Sequence, residues 1–324
     1  MKKTAIIQIV IWSVVLVLLL GVLAAYLLGG FQGWAPFHFS INSGFHYQDA
    51  SSYSIGSCTI NEAVSDLNIR WINGSVTIDR YDGKEISVTE ERNLQEDDQL
   101  RWHLQDGVLT IQPRKAFWFL RFHSFPEKNL VIRIPADWST LNKVSIDVTS
   151  STVDLAKLGI TQLDIDGVSG TVTLSDLQTQ EMKIDTVSGG VLLNNVAGNS
   201  LKIDEVSGEV TCRDTKLSSL DCDTVSGSTS FSGSLENLNY NAISGNVKIE
   251  CDQQLRQIHT DTVSGSLAVT MPEGTGFTAK MDSVSGSFSS DFPLVIKEDQ
   301  RIYGDGSADY SFDSVSGDVT LLKK

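Results

Sequence analysis

The phrase Asp-x-Val-Ser-Gly occurs eight times between residues 166 and 317, once softened to Asn-Ala-Ile-Ser-Gly. Its glycines are Gly170, Gly189, Gly208, Gly227, Gly245, Gly265, Gly286 and Gly317, with gaps of 19, 19, 19, 18, 20, 21 and 31 residues. A unit this short cannot enclose an apolar core by itself, so a fixed period in this range predicts coils that stack on their neighbours.

Apolar positions within one period identify the element that repeats. Two after the glycine stand Val172, Val191, Val210, Thr229, Val247, Leu267, Phe288 and Val319; four after it come Leu174, Leu193, Cys212, Phe231, Ile249, Val269, Ser290 and Leu321. Seven and five before it the pattern resumes, as in Leu163 with Ile165, Met182 with Ile184, and Leu201 with Ile203. Alternation with period two describes short strands with one buried face, and no 3.6-residue period fits. Two before the glycine every copy is aliphatic (Val168, Val187, Val206, Val225, Ile243, Val263, Val284, Val315), and this lane too is expected to face the interior. For one lane to be buried in every copy, the strands must lie side by side, parallel and in register, about 4.8 Å apart. The expected fold is all-β: a single-stranded parallel β-helix, a solenoid of right-handed coils. The glycine fits a corner that needs positive φ or close backbone approach, and the serine before it suits such a turn.

Weaker copies extend the frame towards the N-terminus. Val144, Ile146, Asp147, Ser151, Val153 and Leu155 keep it, as do Leu67, Ile69, Ile72, Gly74, Val76 and Ile78, with Arg70 in the aspartate position. The runs 85–89, 100–104, 108–113 and 130–135 read as strands outside the frame, with Asp106-Gly107 as a hairpin turn. The expected organisation is therefore a stub and transmembrane anchor over 1–30, a juxtamembrane linker over 31–55, an irregular β region over 56–140 capping the solenoid, and repeats over 141–324 with a hairpin insertion near 291–310.

The anchor rests on Ala5–Leu28, a run whose clearly polar members are Gln8 and Ser13. At 1.5 Å per residue it spans about 36 Å, enough for a tilted membrane helix. Lys2 and Lys3 place the N-terminus in the cytoplasm and the β domain outside the cell membrane. The apolar run is longer than that of a cleaved signal peptide and lacks a well-formed small-x-small site.

Removing Lys2 and Lys3 leaves 23 basic against 40 acidic residues, a net charge of −17. Such a surface argues against nucleic-acid binding and against broad adhesion to anionic lipid. Four cysteines, Cys58, Cys212, Cys222 and Cys251, allow two disulfides in an exported chain. However, Cys212 and Cys222 fall on apolar lanes, which favours buried free thiols.

An aspartate stands four before most glycines, pointing outward. Asp166, Asp185, Asp204, Asp223, Asp261 and Asp282 could form a calcium column, because hard cations take several oxygen ligands. The calcium-binding β-roll nonapeptide is missing, and turn capping by each carboxylate is the preferred reading. The stretch 114–125 interrupts an acidic chain with Arg114, Lys115 and a run of aromatics. Phe117, Trp118, Phe119, Arg121 and Phe122 are candidates for membrane or partner contact, against the alternative of a strand pair covering the first coil. No catalytic motif occurs, the five histidines are scattered, and no enzyme activity, cofactor or resident metal is expected.

These rungs, the strand 130–135 ending in Ile-Pro, the phrase Met271-Pro272-Glu273-Gly274-Thr275-Gly276-Phe277 and the closing rung 313–321 resemble the bacterial putative-adhesin family, over roughly residues 60–324. That resemblance implies a surface-exposed, non-enzymatic β-repeat domain and carries over no functional residues. The expected function is a membrane-tethered extracellular β-helix that binds an envelope glycan, a protein or another surface. The alternative is a structural or regulatory partner of membrane or envelope-stress proteins, and a third reading is a glycan-active enzyme.

Overall fold

A computed structural model describes residues 50–92, 94–114, 127–138 and 140–324. The expected anchor over Ala5–Leu28, the linker up to residue 49 and the candidate contact residues Phe117, Trp118, Phe119, Arg121 and Phe122 lie outside the described residues. Among the described residues no helix is long and apolar enough to cross a membrane.

The repeats coil as their lanes require. Strands Leu141–Ala156, Gly159–Ser175, Gln178–Asn194 and Ala197–Cys251 lie side by side and parallel, with Val153, Val172, Val191 and Val210 stacked in register. The last of these is one uninterrupted strand of 55 residues. Drawn out at about 3.3 Å per residue it would reach some 180 Å. It must therefore turn its corners without leaving the hydrogen-bonded ladder, which is how a solenoid differs from a stack of separate strands.

Each coil has two recurrent corners. At one, Lys157, Asp176, Asn195 and Asp214 adopt left-handed backbone with φ between 49° and 57°. Asp and Asn tolerate this region better than other side chains. Each of the first three donates its backbone N–H to a carbonyl of the next coil: Ser175, Asn194 and Arg213, at 3.0 Å. The other corner is the glycine column, where close approach decides the residue. A Cβ on Gly189 would lie 1.8 Å from the Gly170 carbonyl oxygen, and one on Gly208 would lie 1.9 Å from that of Gly189.

The interior is filled by lanes seven, five and three before the glycine and two and four after it. Leu163, Ile165, Val172 and Leu174 of one coil, and Met182, Ile184, Val191 and Leu193 of the next, are all buried. Cys212 and Cys222 lie in these lanes as free thiols, joined in the core by Cys251. Burial pushes all three up to about 12, leaving roughly one thiolate in ten thousand at pH 8. A chromogenic disulfide reagent should therefore modify these three thiols only after denaturant is added; rapid modification in the native protein would contradict their placement.

One expected lane is corrected. None of the aliphatic residues two before the glycines joins the buried core: Val206 is 45% exposed, Val225 37%, Val263 42% and Val284 58%, while Val168, Val187, Ile243 and Val315 are half-buried. Interior lanes three before and two after the glycine are five residues apart, an odd number, so the corner reverses the inside–outside phase. The residue at the x position (Thr186, Glu205, Thr224) takes the inward place instead. The stack survives because its core is supplied by the other lanes.

Both ends depart from sequence order. Strand Asp66–Tyr81 pairs with Leu141–Ala156 on one side, Gly74 opposite Ser151, and with Val108–Gln112 and Lys128–Pro135 on the other. The coil formed by 66–81 is thus covered by one that follows it in the chain. At the far end, Gln257–Ser264 pairs with Ala308–Ser316, and that strand pairs with Gly276–Ser285. The last coil in the chain is therefore inserted between the two that precede it. The expected hairpin near 291–310 is present as Val295–Lys297 against Gln300–Gly304. Antiparallel strands Ile86–Glu90, Arg101–Gln105 and Gln300–Gly304 pair onto the outermost coils, covering edges that a parallel stack leaves open. Asp106 and Gly107, both with positive φ, make the hairpin turn between Arg101–Gln105 and Val108–Gln112.

Candidate functional site

The outward valines form a ladder along the stack, one aliphatic side chain per coil, because Val206, Val225 and their equivalents occupy one position of an in-register repeat. β-Branched residues suit a pleated surface whichever way they point. The ladder is bordered by the aspartate column, in which Asp147, Asp166, Asp185 and Asp204 stand on consecutive coils. At the far end Asp261, Asp313 and Asp282 follow in that spatial order.

Carboxylates about 4.8 Å apart repel by roughly 1 kcal/mol per pair in water. Turn capping does not offset this: among the described residues, no hydrogen bond from a backbone N–H to a column carboxylate is found. Part of the compensation, at Asp185, Asp204 and Asp261, comes from side chains two residues earlier on the same face. Lys183 pairs with Asp185, while Lys202 lies 3.3 Å from Asp204 and 3.8 Å from Asp223. His259 Nε2 lies 3.4 Å from Asp261, and Arg70 closes the near end 3.2 Å from Asp147. Where the column carries Asn241, its Nδ2 donates to Asp223 Oδ1 at 2.6 Å. Exposed pairs of this kind stabilise by less than about 1 kcal/mol each, so the column retains a negative field. Partial burial, then Asp185 and Asp147, push Asp166 up to about 6. Burial, then Asp261 and Asp282, raise Asp313, and burial raises Asp204.

The layout of the column bears on how it could meet a cation. Asp166, Asp185, Asp204, Asp223, Asp261 and Asp282 are strung along the stack rather than converging. Among the described residues no group of three or more His, Cys, Asp or Glu is placed to hold a metal ion.

The feet of the aromatic segment are firmly held. Lys128 is buried, ion-paired with Glu90 at 2.5 Å, bonded to the Asp98 carbonyl at 2.8 Å and seated 4.9 Å over the Trp71 ring. Arg114 pairs with Asp98 at 2.8 Å, and Arg92 Nη1 donates to the Glu127 carbonyl at 2.7 Å. The residues on either side of 115–126, Arg114 and Glu127–Lys128, are thus held in the fold.

A repeating solenoid with one Asp-x-Val-Ser-Gly corner per coil, closed at both ends by antiparallel strands, is matched as a whole by one family, over residues 64–322. The chain belongs to the Toastrack DUF4097 family. The Toastrack chain is similar to solved structures described as a putative adhesin from Parabacteroides merdae (12% identity, TM-score 0.49, covering 84% of this chain and 97% of that one) and a putative adhesin from Bacteroides fragilis (12%, 0.43, 83% and 97%). A putative lipid binding protein from Parabacteroides distasonis is similar at 16% identity and TM-score 0.44, over 84% and 97%. No curated protein matches the Toastrack chain.

The residue that sequence reasoning missed is Glu205. It fills the inward x position, which elsewhere holds Gly167, Thr186, Thr224, Ala242, Thr262, Ser283 and Ser314. Small or hydroxyl-bearing residues in every other copy were the available signal.

Proposed function

We propose that this Toastrack chain is a non-catalytic binding module of the cell surface, tethered by Ala5–Leu28 and presenting its valine and aspartate columns to a component of the envelope. The observation that carries this reading is the aliphatic column two before the glycines, in which Val206, Val225, Val263 and Val284 are exposed. Soluble domains rarely leave a contiguous apolar stripe in water unless something binds there. The adjoining carboxylates favour a partner that sets cationic or hydrogen-bond-donating groups beside apolar ones. Repetition adds to this, since several weak contacts at one spacing combine through effective concentration. A second reading, a structural or regulatory partner of another membrane protein, is favoured by the cationic, aromatic composition of 114–125, with Phe117, Trp118 and Phe119 as its contact residues.

Full-length protein tested against cell-wall material and against membrane extract distinguishes the two. Changing exposed Val206, Val225 and Val263 together to lysine should leave folding intact and reduce wall binding at least tenfold. Loss of membrane-extract binding on changing Phe117 and Phe119 to serine, with wall binding absent throughout, would favour the second reading.

A further inference from the structure

The most unusual feature of the interior is a polar cluster in the middle of the stack. Glu205, Cys222, Thr224, Thr229 and Tyr240 are all more than nine-tenths buried. Glu205 Oε1 and Thr224 Oγ1 have no hydrogen-bond partner, Cys222 Sγ lies 3.8 Å from Thr229 Oγ1, and Tyr240 OH faces that same Thr229 hydroxyl with no other partner. These groups belong to three consecutive coils, those of Gly208, Gly227 and Gly245. The glycine column gives them room: a Cβ on Gly208 would lie 2.1 Å from Glu205 Oε1, and one on Gly245 would lie 3.2 Å from Tyr240 OH. Both polar tips therefore turn towards the inner side of the glycine corner from coils two rungs, or roughly 9.6 Å, apart. Thr224 stands on the coil between them.

We infer that Glu205, Thr224 and Tyr240 enclose a binding site for ordered internal water, which bridges the three coils beneath the glycine corner. Buried water collects where two to four polar groups would otherwise lack partners, and an apolar gap of the same size stays dry. A cation does not suit the site, because one buried carboxyl and two hydroxyls supply few oxygens at close range. Glu205 is pushed up to about 7 by burial, so a neutral carboxyl that can donate to a water is available in mildly acid solution. The inward lane continues in this way towards the C-terminal end, where the hydroxyls of Ser314 and Ser283 are also buried without partners. Further along this lane, past Tyr240 and away from Glu205 and Thr224, a small partly open cavity bounded by Gly245, Thr262, Ser314, Leu267 and Phe312 has about 10 Å³ of space, room for about one water.

A crystal structure of the full-length chain at about 1.5 Å or better, together with oxygen-17 relaxation dispersion in solution, tests this. The expected result is full-occupancy water about 3 Å from Glu205 Oε1 and from Thr224 Oγ1 or Tyr240 OH, and at least one long-lived water per molecule in solution. Glu205→Thr, which installs the residue of the coils on either side, should fold and lower that count. A direct Glu205–Thr224 or Glu205–Tyr240 hydrogen bond with no intervening density would overturn the proposal. So would a carboxyl turned to solvent, density at the distances of a bound cation, or a count unchanged by Glu205→Thr.

Discussion

Replacing Glu205 by glutamine should stabilise the protein at pH 8 by about 3 kcal/mol and have almost no effect near pH 4. The sign follows from where the carboxyl sits. Burial raises it from an ordinary 4.5 to about 7, so the folded state holds its proton more tightly than the unfolded chain does. Below about pH 4.5 both states are protonated and nothing is lost. As pH rises through 7 the folded protein must either keep a proton that the unfolded chain has released or carry a buried charge. At 1.36 kcal/mol per unit the penalty levels off near 3 kcal/mol. The titratable groups facing it, Cys222 and Tyr240, are themselves raised by burial and remain neutral there. Asp166, Asp204 and Asp313 are shifted in the same direction, so a shallower decline with pH should persist in the variant. Urea unfolding at several pH values measures both. An equal effect of Glu205→Gln at pH 4 and pH 8 would mean that the carboxyl is open to bulk solvent.

Two adjacent glycines should respond in opposite ways to alanine. At Gly189 the new methyl would lie 1.8 Å from a backbone carbonyl oxygen, with φ at 145°. Neither neighbour is a flexible side chain that could move aside, so the coils must separate locally. Overpacking and left-handed strain together should cost about 3–5 kcal/mol. At Gly190 the nearest atom to an added Cβ is 3.7 Å away, and alanine should change stability by less than about 1 kcal/mol, with a gain possible from the stiffer unfolded chain. Thermal unfolding of the two single variants is a sufficient comparison. Similar losses at both positions would remove close coil approach as the reason for the glycine column.

The stack was legible in the sequence because an in-register solenoid buries the same lane in every coil, and Leu163, Ile165, Val172 and Leu174 recur with little drift. The outward turn of Val206 and Val225 was not legible. Aliphatic identity alone does not report the phase reversal at a glycine corner, and the inward x position was masked by its small residues. Coil order at the ends was equally hidden. The rungs closing on Gly286 and Gly317 carry the same pattern, so nothing local says which of them meets the Gly265 coil. Of the candidate site, the aspartate column could be read directly. Its partners Lys183 and Lys202 could have been read as well, since residues two apart on a strand share a face.

Pulsed electron spin resonance on three equivalent exposed positions, Thr171, Ser287 and Asp318, addresses the architecture most directly. The coil of Asp318 lies between those of Ser266 and Ser287. At about 4.8 Å per coil, labels at 171 and 318 should be roughly 29 Å apart and labels at 171 and 287 roughly 34 Å apart. The residue nearer in sequence would thus be the farther in space. A longer distance to 318 than to 287 would contradict the inserted coil, and distances that do not scale with the number of coils would contradict the stack itself.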